Sequence, residues 1–263
     1  MLHIAQSFKA FSIVLLISFP VAAPSQEIVY PPPSPPVRYH GTGTLGEPIY
    51  LRDNSDNWSK FPAEEKGKPI PELKRDPPPG VSRILGIDIK HQSEALGRAI
   101  AALGTAKAVS TGDASTGREQ ICYVSEPKAH NVHLIFEEDE VYADYYLFED
   151  GPHWNGESFC APSKLVSPDL RNDAGLGLGE TRSQVEAILG KPSLRRHDLL
   201  YYNFALTKKT PRKDLEAARK ANPGLSEKVL EEDYGSYDLY VSIEVDFRGE
   251  KSTYLGVSWS EQQ

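Results

Sequence analysis

The sequence predicts an α+β protein: two tandem units, each one helix packed on an antiparallel β-meander, behind an extended Pro-rich N-terminal segment. Three observations carry this. Apolar residues take helical spacing twice, at Leu96, Ala99, Ile100 and Leu103 and again at Val185, Ile188 and Leu189. Each helical stretch precedes segments of strict apolar alternation, which mark strands with one face turned to a core. Upstream of Val81, prolines recur and aliphatic residues are sparse.

The chain opens with basic Lys9, an apolar run from Phe11 to Phe19 and small residues at Val21, Ala22 and Ala23. That is the layout of a secretory signal over residues 1–23. The run is shorter than the roughly 20 apolar residues of a membrane span, so no membrane span is expected. No cysteine lies near the cleavage region to take a lipid. The expected location is periplasmic or secreted. Residues 24–80 read as a largely disordered linker, with Pro31, Pro32, Pro33, Pro35 and Pro36 as a polyproline spacer and Pro77, Pro78 and Pro79 near its end. Asn57-Trp58-Ser59 matches a glycosylation acceptor, which has meaning only in a eukaryotic secretory pathway.

The first unit spans residues 81–165. Its helix ends at Gly104, and "EQICYVS", "NVHLIF" and "EVYADYYLFE" follow as strands, with Glu138-Asp139-Glu140 as a polar turn. The second unit spans residues 166–263. Thr181 is placed as an N-cap with Gln184 at the capping-box position, and Gly190 with Pro192 stops the helix. "LLYYNFA", "YDLYVSIEVDF" and "STYLGVSW" are its strands. A helical insertion at 207–236 interrupts them, with Thr210-Pro211 as one helix start, Asn222-Pro223-Gly224 as a break and Ser226 as a second cap. Its first half is basic and its second acidic, which reads as a solvated helical hairpin or, more sharply, a protruding docking element.

The chain has two cysteines, Cys122 and Cys160. In an oxidising compartment such a pair is expected as a disulfide. The net charge of −8 argues against nucleic acid as a partner.

Gly175, Gly177 and Gly179 lead into the second helix and look at first like a phosphate loop. The dinucleotide pattern fails, because Glu180 stands where its third glycine belongs and no strand precedes it. A carboxylate at that helix start would also repel a phosphate. The glycines read instead as a tight entry into the helix.

"LGLGETRSQVEAILGKPS" resembles the signature of the outer-membrane assembly lipoprotein BamE and its relatives: Gly, Thr, Val and a Leu-Gly-x-Pro close before a meander. The helix-plus-meander unit in tandem is similar to the β-lactamase inhibitor protein. The resemblance implies a non-catalytic protein-binding module, and it carries over no catalytic residue.

A search for chemistry finds no local motif. His130 and His133 form an H-x-x-H, but on a strand those positions point to opposite faces. The mature histidines (these two with His40, His91, His153 and His197) read as surface or turn residues. Glu137 to Glu140 lacks the spacing of a calcium loop and reads as a solvated turn. No metal, cofactor or enzymatic activity is expected. The alternation places Tyr142, Tyr146, Tyr240 and Tyr254, with His133, Asp144, Glu244 and Asp246, on the wet face of the meanders. Aromatic residues mark protein interfaces, so Tyr142, Tyr146, Tyr240, Tyr254, Asp144 and Glu244 are the expected partner-binding set. The resulting expectation is an exported, soluble protein-binding module: an inhibitor, immunity factor or envelope-assembly accessory whose partner is another protein. The alternatives are a secreted hydrolase with a site between the units, or a cell-wall or small-ligand-binding module.

Overall fold

The computed structural model describes residues 64–65, 68–90, 94–111, 118–127, 130–139, 141–149 and 160–262. The signal segment, the first proline run, Asn57, His40, His91 and His153 lie outside them. The described chain is α+β, with a mostly antiparallel sheet and four helices among the described residues.

Two short ladders come first: β1 (Glu64–Glu65) with β2 (Lys68–Pro69), and β3 (Arg83–Ile84) with β4 (Ile87–Asp88). The second turns at Leu85 and Gly86, both at positive φ, as a two-residue hairpin turn requires. Asp88 accepts from the Ser82 hydroxyl at 2.9 Å, the Lys90 amide at 3.1 Å and Arg83 at 3.0 Å. Burial works to raise its pKa, but these bonds and the Lys90 charge outweigh it and hold the carboxyl below its ordinary 3.8. A depressed folded value contributes stability above the unfolded pKa and loses it as pH falls through the folded one. The melting-temperature gap between the parent and Asp88→Asn is therefore expected to be widest near neutrality and to close in acid.

Helix α1 (Ala95–Leu103) buries Ala95, Leu96 and Ala99 and ends at Gly104, whose φ of 98° suits glycine. Its N-cap residue makes no side-chain cap bond; the Leu96 amide instead donates to Glu138 at 3.2 Å. Burial raises the Glu138 pKa, and the amides of Leu96 and Ala95 pull it back. Glu138 thus caps a helix across the fold rather than lying in a solvated turn.

Strands β5 (Val109–Thr111), β6 (Arg118–Ser125), β7 (Val132–Glu138) and β8 (Tyr142–Glu149) follow, then β9 (Ala161–Ser163), which runs parallel to β6. Helix α2 (Arg182–Leu189) has the expected capping box at Thr181 and Gln184. Then come β10 (Leu194–Arg195), β11 (Leu199–Lys209), α3 (Arg212–Ala221), α4 (Glu227–Tyr234), β12 (Ser236–Arg248) and β13 (Lys251–Gln262). Among the described residues the main sheet has nine strands, ordered β10-β11-β12-β13-β8-β7-β6-β5 with β9 beside β6. At its middle β8 pairs with β13, antiparallel from Tyr254↔Phe148 to Ser260↔Tyr142. One core lines one face of the sheet from β6 to β11, including Leu134, Phe136, Tyr145, Tyr202, Val241, Ile243 and Val257. α3 buries none of its residues, while α4 is anchored through Leu230.

The glycine run is explained without a ligand. Gly175 and Gly179 have φ values of 86° and 77°. At Gly177 a Cβ would stand 2.4 Å from the Leu170 carbonyl oxygen. Leu176 and Leu178 between them are buried. The run is a folded approach to α2.

Described residues upstream of Val81 also pack on the sheet. Ile70 is buried against Leu199 and Tyr201, and Leu73 forms a parallel bridge with Phe204. The prolines of this stretch do not leave it unpacked, because its isolated aliphatics find the edge of β11.

Cys122 and Cys160 form a disulfide, with Cα atoms 4.4 Å apart and 38 residues of separation. It ties the segment entering β9 to β6. Cys122→Ser is expected to cost about 2 kcal/mol or more by denaturant unfolding, and the unfolded, unreduced parent should show no free thiol.

Candidate functional site

The sheet face opposite the core is where alternation places the expected set. Tyr142, Asp144 and Tyr146 on β8, Tyr240 and Glu244 on β12, and Tyr254 on β13 all point there, since their neighbours Ala143, Tyr145, Val241 and Leu255 belong to the core. Their exposure corrects the expectation of a wet face. Tyr146, Asp144, Tyr254 and Glu244 are buried, Tyr142 is half-buried, and only Tyr240, 39% exposed, presents a large accessible surface. His133, expected at the surface, is buried too.

The reason lies in the cross-strand neighbours. Tyr146 stacks with Tyr254 at 6.4 Å, and His133 stacks with Phe148 at 5.0 Å, beside buried Ile135. The Tyr254 ring lies along its own strand over Gly256, where an added Cβ would meet its hydroxyl at 2.6 Å. A glycine inside an alternating strand is the sequence signal for such a close approach, and it was available at Gly256.

Arg118, which alternation alone does not single out, organises the polar part. Its Nη1 lies 3.2 Å from Glu137 and 3.3 Å from Asp144, and its Nε lies 2.7 Å from Asp139. The guanidinium also lies over the Tyr142 ring at 5.4 Å. Gln120 donates to Glu137 at 3.1 Å, and the Tyr146 hydroxyl donates to Asp144 at 3.0 Å. Burial works against the Arg118 charge, but Asp144, Glu137 and Asp139 outweigh it and hold the proton more tightly than usual. Burial, reinforced by nearby carboxylates, raises the Tyr146 and Tyr254 hydroxyls well above their ordinary value. Both hydroxyls therefore stay protonated, and that of Tyr146 is the donor to Asp144. Elsewhere on this face Tyr201 and Ser242 share a hydrogen bond at 3.0 Å.

Chemically, this is a polar network spent on itself. Arg118 neutralises carboxylates, and the tyrosines pack. Among the described residues, no group of three or more His, Cys, Asp or Glu side chains is placed to hold a metal ion. No helix among them is long and apolar enough to cross a membrane. Tyr240 stands apart, opposite Ala205 on β11 and Ser260 on β13. The helical hairpin follows directly from β11 and returns into β12, with exposed Leu225 between its helices. No protein-family model matches the chain, and neither a curated protein nor a solved structure matches it.

Proposed function

We propose that the chain is an exported, non-catalytic protein-binding module, an inhibitor, immunity factor or envelope-assembly accessory. Within it, α1 with β6 to β8 and α2 with β11 to β13 read as tandem units joined last strand to last strand. The signal-like residues 1–23 and the disulfide support the exported, oxidising location. The observation that carries the binding role is the contrast on one sheet face. Its interior aromatics and charges are engaged with one another, whereas Tyr240 keeps 39% of its surface accessible. An exposed tyrosine on a rigid strand offers contact area at small entropic cost. The partner is another protein, and the docking surface centres on Tyr240 rather than on Tyr146 or Tyr254.

Affinity capture from envelope extract, with mass spectrometry of what is retained, tests this. Tyr240→Ala is expected to weaken capture of the recovered protein at least tenfold and leave the melting temperature nearly unchanged. Tyr146→Ala should instead melt early. Equal capture by the parent and Tyr240→Ala would place the docking surface elsewhere, and turnover of the recovered protein would overturn the non-catalytic reading.

A further inference from the structure

Tyr240 stands among side chains too short to cover it. Its cross-strand neighbours are Ala205 on β11 and Ser260 on β13, and Ser242 lies two residues along its own strand. The ring therefore keeps 39% of its surface accessible. The same face brings carboxylates to it. Asp238, two residues back on β12, turns the same way and accepts from the Thr207 hydroxyl at 2.7 Å. Leu73 packs toward the core, so Glu72 and Lys74 on either side of it turn to the Tyr240 face. Lys74 pairs with Glu72 at 2.5 Å. Partial loss of water raises the Tyr240 hydroxyl above its ordinary 10.0, and Asp238 and Glu72 raise it further, against a smaller pull from Lys74. The ring thus stands in a negative local field.

A filled counterpart lies in the same cross-strand row. Beyond Ser260 comes Tyr142, whose ring carries the Arg118 guanidinium at 5.4 Å, held there by Asp139, Glu137 and Asp144. A cation over a ring face is attracted by the ring's quadrupole. A planar guanidinium can also stack on the ring while its edge forks onto a carboxylate. Elsewhere Arg75, Lys90 and Arg182 lie over Phe204, Trp259 and Phe247. Tyr240 has the ring and the carboxylates, but among the described residues no cation lies over it.

We propose, resting on the reading that Tyr240 centres the docking surface, that the partner protein supplies that cation: an arginine laid over the Tyr240 ring, its guanidinium edge toward Asp238. Charge selects it against other occupants. An acidic side chain would meet Asp238 and Glu72 as like charges. An apolar one would strip water from both carboxylates without pairing them. The net charge of −8 acts in the same sense at longer range, drawing a basic surface in. Lys74 is the internal competitor, since its ammonium already engages Glu72.

Nuclear magnetic resonance on the full chain, titrated with acetyl-Gly-Arg-Gly-amide and with its glutamate counterpart, tests the cation. The arginine peptide is expected to shift the Asp238 and Tyr240 signals, and the glutamate peptide to leave them in place. In Tyr240→Ala the Asp238 shift should be lost. Signals that stay in place with the arginine peptide, or move equally with both, overturn the proposal. Binding of the captured protein separates this from the docking reading. Asp238→Asn, which keeps an acceptor for Thr207, is expected to weaken it by about fivefold or more. Lys74→Gln, which removes the competing cation, is expected to tighten it. If Tyr240→Ala weakens capture while Asp238→Asn does not, or if Lys74→Gln weakens it, docking at Tyr240 stands and the cation is overturned. If Tyr240→Ala leaves capture unchanged, the docking reading fails and the cation assignment with it. Should Asp238→Asn lose its folded circular dichroism spectrum, Glu72→Gln, at an exposed position, decides by the same loss.

Discussion

Replacing Arg118 by leucine is expected to destabilise the chain by about 3–5 kcal/mol, because it leaves buried carboxylates without their cation. Asp144 and Glu137 are 1% and 2% exposed, so water cannot take over the role of the guanidinium. Urea unfolding of the two proteins reads this directly, and a loss of no more than about 1 kcal/mol, the size of an exposed ion pair, would refute the buried-pair account. Tyr146→Phe, which removes only the hydroxyl donated to Asp144, is expected to cost about 1 kcal/mol.

Asn172→Ala is the second large expected effect, at about 4 kcal/mol from several buried bonds lost together. Asn172 is 4% exposed. Its Nδ2 donates to the Tyr145 hydroxyl at 2.8 Å and to the Val81 carbonyl at 3.3 Å. Its Oδ1 accepts from the Leu176 amide at 2.9 Å and the Ala174 amide at 3.1 Å. One side chain thus joins the entry to β3, the core face of β8 and the glycine-rich approach to α2. Tyr145→Phe is the matched control. The Val81 carbonyl, which also accepts from the Tyr145 hydroxyl at 2.7 Å, keeps its bond to Asn172, so the loss should be nearer 1 kcal/mol. Denaturant unfolding that ranks Tyr145→Phe as the costlier change would show that Asn172 is not the hub.

Much of the architecture was legible because it is local. The Thr181 and Gln184 box, the glycine stops at Gly104 and Gly190 and the Ser226 cap depend on residues within one helical turn. The insertion was legible in outline, displaced by one position: Pro211 is the N-cap, and Arg212 opens the helix. The two-residue period of a strand also determined which side chains share a face, so the expected site residues do lie on one side of the sheet. Glycines 175, 177 and 179 were read correctly as chain geometry, since a failed motif is itself a local fact.

Exposure was not legible. Period two says that Tyr146 and Tyr254 point away from the core, but only the pairing of β8 with β13 brings their rings together, and only Gly256 lets Tyr254 lie flat. The same holds for Arg118, whose carboxylate partners arrive on β7, β8 and the turn between them, and for Glu138, which caps a helix 42 residues away in sequence. The packing of Ile70 and Leu73 belongs here as well, because two aliphatics among prolines promise no burial until β11 supplies an edge. Backbone periodicity and caps are properties of neighbouring residues, so the sequence alone determined the elements and their faces. Burial and ion pairing depend on strands brought together by long-range pairing, so the tertiary structure alone decided that the face opposite the core is closed and that Tyr240 is left accessible on it.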